Sequence, residues 1–98
     1  EIVPLTRKGG ATIKSDVVGP ICESGDYFCK DRPLPKLGEG DHLALLSAGA
    51  YGFVMAGNYN TRPLAAEVMV HGNKATVVRE RQTVKDVLKG EKIAAWLK

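Results

Sequence analysis

Apolar and polar positions alternate most regularly along two short arms, Ala65 to Val70 and Lys74 to Glu80, with His71-Gly72-Asn73 between them. Period-two alternation around turn residues predicts a β-hairpin. Val68 and Val70 share one face of the first arm, and Val77 and Val78 give the second arm apolar contacts on both faces. Residues 1–21 read as two extended segments. Ile2, Val3 and Leu5 precede the turn-prone Arg7-Lys8-Gly9-Gly10, and a β-branched stretch from Ala11 to Val18 follows until Gly19-Pro20 stops it. Ile21-Cys22-Glu23-Ser24-Gly25-Asp26 then passes from an apolar residue into small and polar ones, as where a strand delivers side chains to a loop.

Pro33, Pro35, Gly38 and Gly40 predict a surface loop from Lys30 to Asp41. A buried strand from His42 to Ser47 and a tight bend over residues 48–52 are expected next. Phe53-Val54-Met55-Ala56 is too short for periodicity to separate a helical turn from a strand, and Asn58 to Pro63 reads as loop. Thr83, with Asp86 three positions on, predicts the N-cap of a short helix that Lys89-Gly90 ends. Ile93, Trp96 and Leu97 supply the apolar contacts of a last turn. The whole predicts a mainly β fold, an antiparallel β-sandwich or partly open barrel with short C-terminal helices.

Ninety-eight residues predict one small domain, and 44% hydrophobic with 26% charged residues is an ordinary globular balance. The net charge of +3 is spread along the chain without a basic stripe, so no nucleic-acid partner is expected. The longest apolar stretch, Leu43 to Ala56, is interrupted by Ser47, Gly49 and Gly52 and is too short to span a bilayer. The first residues carry no secretory signal pattern, which predicts a cytoplasmic protein with reduced thiols and no membrane partner. Cys22 and Cys29 lack the spacing of a zinc site, and His42 and His71 are isolated, so no metal is expected. Neither a nucleophile elbow nor a dinucleotide-type glycine loop is present.

Two clusters combine small, flexible residues with reactive ones, Cys22-Glu23-Ser24-Gly25-Asp26 and Gly49-Ala50-Tyr51-Gly52. Taken alone, the first reads as readily as a half-buried thiol beside a solvated carboxylate, and the second as a bend with a tyrosine packed over it. Extended to Gly19-Pro20-Ile21-Cys22-Glu23-Ser24-Gly25-Asp26, the first string closely resembles the C-terminal active-site motif of bacterial diaminopimelate decarboxylases. These are pyridoxal-phosphate enzymes of fold type III. Matches to Leu45 through Gly52, Asn58 through Pro63, Ala65 through Val68 and Glu80 through Thr83 follow in the family's order. The resemblance covers nearly the whole chain. Gly57 and Thr61 stand where serine is usual, and Leu64 where arginine is frequent.

The resemblance implies decarboxylation of meso-diaminopimelate at its D-centre to give L-lysine. It implies pyridoxal 5'-phosphate as cofactor, a separate barrel domain that holds it, and a homodimer whose sites are shared between subunits. Tyr51 resembles the tyrosine whose hydroxyl contacts the cofactor phosphate at the substrate-binding site. Glu23 resembles the carboxylate that reads the substrate's distal ammonium from the neighbouring subunit. Cys22 resembles the thiol of the same cross-subunit site that assists proton delivery or tunes its surroundings. Asp26 is expected to order the loop or assist there, while Tyr59 and Arg62 are expected to hold their own loop. None of the nine lysines resembles the cofactor-binding segment. That segment and the barrel's other motifs are expected upstream of Glu1, so the chain alone should be inactive. Two alternatives stand beside this reading. One is a stand-alone β-domain for binding or oligomerisation. The other is the same domain from an ornithine, arginine or carboxynorspermidine decarboxylase.

Overall fold

In the computed structural model, residues 1–6 and 9–97 are described. The expected turn at Arg7-Lys8 thus lies outside the described residues. The chain divides into two compact units, Glu1–Val54 and Met55–Lys98. Among the described residues, the strands form three two-stranded antiparallel sheets, β1 with β4, β2 with β3 and β5 with β6. A mainly β, antiparallel architecture with short helices is therefore what the sequence pattern predicted, and among the described residues no sheet closes into a barrel.

In the first unit, β1 (Ile2–Pro4) pairs with β4 (Leu43–Leu45) in the register Ile2↔Leu45, Val3↔Ala44 and Pro4↔Leu43. Hydrogen bonds from Leu5 N–H to the His42 carbonyl (2.9 Å) and from Leu46 N–H to the Glu1 carbonyl (2.8 Å) extend the ladder by one residue at each end. The expected strand from His42 to Ser47 is thus shorter, and it is half-buried rather than buried, with β1 its only hydrogen-bonded neighbour among the described residues.

The larger ribbon joins β2 (Thr12–Val18) to β3 (Tyr27–Pro35). The expected loop from Lys30 is therefore strand as far as Pro35. Two prolines are tolerated because, among the described residues, β3 pairs with β2 on one side only, so their missing N–H groups need not face a partner. Between Ser15↔Arg32 and Val17↔Cys29, two residues of β3 oppose Asp16 alone, a β-bulge. Asp31 adopts a φ of 53° there, and the Asp16 carboxylate accepts its N–H at 2.8 Å. A second shift before Val18↔Tyr27 places Phe28 outside the pairing. These bulges break the period-two pattern and conceal the strand from a sequence reading. Leu34, opposite Ile13, is 3% exposed and is the single buried hydrophobic residue among those described.

Residues 48–52, expected as a tight bend, instead start α1 (Gly49–Met55). Ser47, at φ 57°, reverses the chain, and Gly52 N–H donates to the Ala48 carbonyl at 2.5 Å to close the first turn. Glycine lowers helix propensity by about 1 kcal/mol, which is why Gly49 and Gly52 disguise this helix.

The second unit carries the predicted hairpin, β5 (Glu67–His71) and β6 (Lys74–Arg79), with His71↔Lys74 closing a two-residue loop. Gly72 has φ 59°, the backbone such loops require at their first central position. Glu67 and Arg79 face each other across the strands as an ion pair. The predicted cap is present at α2 (Val84–Val87). Thr83 Oγ1 accepts Asp86 N–H at 3.2 Å, and the Asp86 carboxylate accepts Thr83 N–H at 2.8 Å. A 3₁₀ turn at Ala95–Leu97 is the expected last turn.

Candidate functional site

The string Gly19 to Asp26 is the tip of the β2–β3 hairpin. Its base continues the ladder, with Gly19 N–H donating to the Asp26 carbonyl at 2.8 Å. Inside it, Asp26 N–H donates to the Glu23 carbonyl (3.0 Å) and Tyr27 N–H to that of Gly25 (2.9 Å), so the chain reverses over 23–26. Cys22 and Glu23 are exposed at this turn, and Asp26 is half-buried behind them. The Glu23 carboxylate is not free to rotate at random: its Oε1 accepts Gly25 N–H at 3.0 Å. A Cβ at residue 25 would come within 2.9 Å of Glu23 Oε2, so glycine there leaves the carboxylate its place. The tip therefore presents an oriented anion beside a thiol. That pairing can bind an ammonium group and can hold a proton at Sγ.

Asp26 faces the other way. Its Oδ2 accepts Ile21 N–H at 2.7 Å, which ties the end of the tip to its beginning. Tyr51 is carried by a separate element, on the first turn of α1, and is 77% exposed. The structure thus joins Cys22, Glu23 and Asp26 on one turn and places Tyr51 on another segment of the same unit. For a pyridoxal phosphate, these residues fit one edge and not a whole cradle. The Tyr51 hydroxyl is an accessible donor for a phosphate, whereas Glu23 and Asp26 are anionic and suit a cationic group.

In the second unit, the loop after Met55 is held by residues that sequence reasoning did not single out. Asn58 Nδ2 donates to the Arg62 carbonyl (2.8 Å) and to Gln82 Oε1 (2.6 Å), which also accepts Leu64 N–H (2.9 Å). Gln82 N–H returns a bond to the Leu64 carbonyl at 3.1 Å. Asn58 and Gln82 thus supply side-chain ties to this loop, and Tyr59 and Arg62 enter it through their backbone, the Tyr59 carbonyl accepting Arg62 N–H at 3.4 Å. Asn60 and Thr61 take φ values of 57° and 59°, a strained conformation for a β-branched threonine. No spacing rule signals a glutamine 24 residues from its asparagine partner. Surface depressions beside α2, lined by Val84, Lys85, Asp86, Leu88 and Lys89, and beside Leu64, Arg79 and Gln82, contain none of the candidate residues. Cys22, Glu23 and Tyr51 are each exposed at the surface. Among the described residues, no group of three or more His, Cys, Asp or Glu side chains could hold a metal ion, and no helix is long and apolar enough to cross a membrane.

A two-stranded hairpin whose tip carries Cys-Glu-Ser-Gly-Asp, in a mainly antiparallel β chain, belongs to a known class. Residues 1–49 match the family model described as the pyridoxal-dependent decarboxylase C-terminal sheet domain. The chain belongs to this family. Among its relatives, the diaminopimelate decarboxylase of Pseudomonas fluorescens is 58% identical over 93 residues, 95% of this chain and 22% of that protein. That of Pseudomonas aeruginosa is 55% identical over the same length and shares. The crystal structure of diaminopimelate decarboxylase from M. jannaschii superposes with a TM-score of 0.90 at 34% identity, over 100% of this chain and 22% of that one. The enzyme from Helicobacter pylori, complexed with L-lysine, superposes with a TM-score of 0.81 at 40% identity, over 91% of this chain and 22% of that one. The chain thus spans about a fifth of the length of the relatives it matches.

Proposed function

We propose that this chain is the C-terminal β-domain of a diaminopimelate decarboxylase and completes that enzyme's active site. The observation that carries the reading is the hairpin tip, where Glu23 is oriented by Gly25 N–H and exposed next to Cys22. The relatives' names and the 58% identity support this substrate over ornithine or arginine. In the reaction, the bond from the D-centre to its carboxylate breaks, carbon dioxide leaves and a proton takes its place, giving L-lysine. Pyridoxal phosphate, bound by a barrel domain, supplies the electron sink for that bond cleavage.

This chain's residues bind and orient. Glu23 pairs with the ammonium at the end of the substrate that does not react, and so selects a diamino diacid. The Tyr51 hydroxyl donates to the cofactor phosphate. Cys22 Sγ holds a proton on the substrate side of the tip. Glu23 and Cys22 serve the site of the neighbouring subunit in a homodimer. The barrel domain covers apolar residues that the chain leaves exposed, Met55 at 84% and Trp96 at 86% among them.

The test replaces the C-terminal fifth of the Pseudomonas aeruginosa enzyme with residues 1–98 and measures decarboxylation of meso-diaminopimelate, ornithine, arginine and carboxynorspermidine. Lysine formation with the highest kcat/KM for diaminopimelate is expected. A folded, cofactor-loaded chimera that prefers another substrate, or releases no carbon dioxide, overturns the proposal.

A further inference from the structure

Asp26 differs from its neighbours on the hairpin tip in what its side chain does. Pro20 has no N–H, so the first donor the chain offers after the ladder ends at Gly19 is the amide of Ile21. Asp26 Oδ2 accepts that amide at 2.7 Å from five residues away. To reach it, the carboxylate crosses the base of the tip through the space above Gly19. A Cβ at residue 19 would fall inside the van der Waals shell of the Asp26 carboxylate, so the two positions are sterically linked. Gly19 has an ordinary negative φ, so glycine is needed there for this space and not for its backbone freedom.

We propose that Asp26 is a positioning residue for the decarboxylase site: its carboxylate, seated over Gly19 and bonded to Ile21 N–H, fixes the turn that presents Cys22 and Glu23. This inference rests on the function proposed above and adds a role for residues that never touch the substrate. The closure matters because the bonds within residues 23–27 are local. Glu23 reaches Gly25 two residues on, and the backbone bonds of 23–27 span two or three residues. Gly19 N–H to the Asp26 carbonyl and the Asp26 carboxylate to Ile21 N–H connect the two arms of the tip. Removing the carboxylate takes away the side-chain bond that ties Ile21, the residue before Cys22, to the far arm. A displacement of about 1 Å at a substrate-reading group is enough to cost on the order of a hundredfold in rate.

Because Asp26 acts here as a hydrogen-bond acceptor, an amide can replace it. Because it occupies the space over Gly19, a methyl group there evicts it. In the chimera, Asp26→Ala is expected to lower kcat/KM for meso-diaminopimelate at least tenfold, and Asp26→Asn to recover most of that loss. Gly19→Ala is expected to reproduce the Asp26→Ala defect, and the double variant to be no worse than either single one. Hydrogen exchange of the peptide covering residues 19–27, read by mass spectrometry, should be slow in the parent and in Asp26→Asn, and fast in Asp26→Ala and Gly19→Ala. Unchanged kinetics in Asp26→Ala overturn the positioning role, as does an additive double variant. An Asp26→Asn variant as impaired as Asp26→Ala assigns a charge or proton-transfer role instead, and equally overturns it. A parent chimera that retains its cofactor but forms no lysine overturns the functional reading itself, a result distinct from the others.

Discussion

At the scale of single residues, the hairpin tip is a set of short-range constraints around two exposed reactive groups. Gly25 supplies both an N–H for Glu23 Oε1 and the space its carboxylate occupies. Glu23→Gln keeps the size and the acceptor but loses the charge. A hydrogen bond to a charged partner contributes about 2 kcal/mol, so kcat/KM of the chimera for meso-diaminopimelate is expected to fall roughly thirtyfold. A variant within threefold of the parent contradicts the assignment. On the role proposed for Tyr51, Tyr51→Phe removes a phosphate donor, and retention of pyridoxal phosphate by the chimera on dialysis is expected to weaken about tenfold, followed by cofactor absorbance. The residue types at this tip were legible as chemistry, but the roles proposed for them came only through the family resemblance, because a cysteine beside a glutamate has many uses. The Asp26–Ile21 bond and the space over Gly19 were not legible, since both depend on how an eight-residue loop folds back on itself.

At the scale of elements, the features readable in sequence were those with local causes. The β5–β6 hairpin follows from alternation around Gly72, and the α2 cap from a threonine and an aspartate three apart. Gly72→Ala is expected to cost about 1 kcal/mol in urea unfolding, because alanine at φ 59° is strained, and Gly72→Asn less. Equal losses in the two variants contradict this account of the loop. The hydrogen bonds from the Thr83 side chain and backbone, with Lys89 nearby, hold the Asp86 carboxyl below its ordinary value of 3.8. A lowered folded pKa means that the cap's contribution is complete above the unfolded value and is lost as pH falls through the folded one. An NMR titration of the Asp86 carboxyl should therefore show a midpoint below 3.8, returning toward it in Thr83→Ala. A midpoint at or above 3.8 in the parent is the contrary result. β3 and α1 were misread for the opposite reason. Pro33 and Pro35 sit in a strand with one neighbour, and Gly49 and Gly52 in a helix whose start is set by the reversal at Ser47.

At the scale of the whole molecule, burial is the dominant fact. The chain exposes 8655 Å², whereas two separate compact bodies of the sizes of its units would together expose about 6,500 Å². Isolated two-stranded hairpins are marginal in water, and both faces of β5–β6 carry exposed valines, Val68, Val70, Val77 and Val78 among them. Residues 1–98 alone are accordingly expected to bind the dye ANS strongly, to self-associate in light scattering and to form no lysine. A monomeric, dye-silent chain, or measurable lysine production by it, contradicts the reading of this chain as part of a larger enzyme. Composition could not reveal this, because 44% hydrophobic residues suits a self-sufficient domain as well as one built to be covered.

In the proposed function, Glu23 reads the far ammonium of the substrate. The most direct test of this role compares kcat/KM of the parent and Glu23→Ala chimeras for meso-diaminopimelate and for the analogue in which hydrogen replaces the distal amino group. The substitution is predicted to penalise diaminopimelate by thirtyfold or more while leaving the analogue within about threefold. Equal penalties on the two substrates would contradict it.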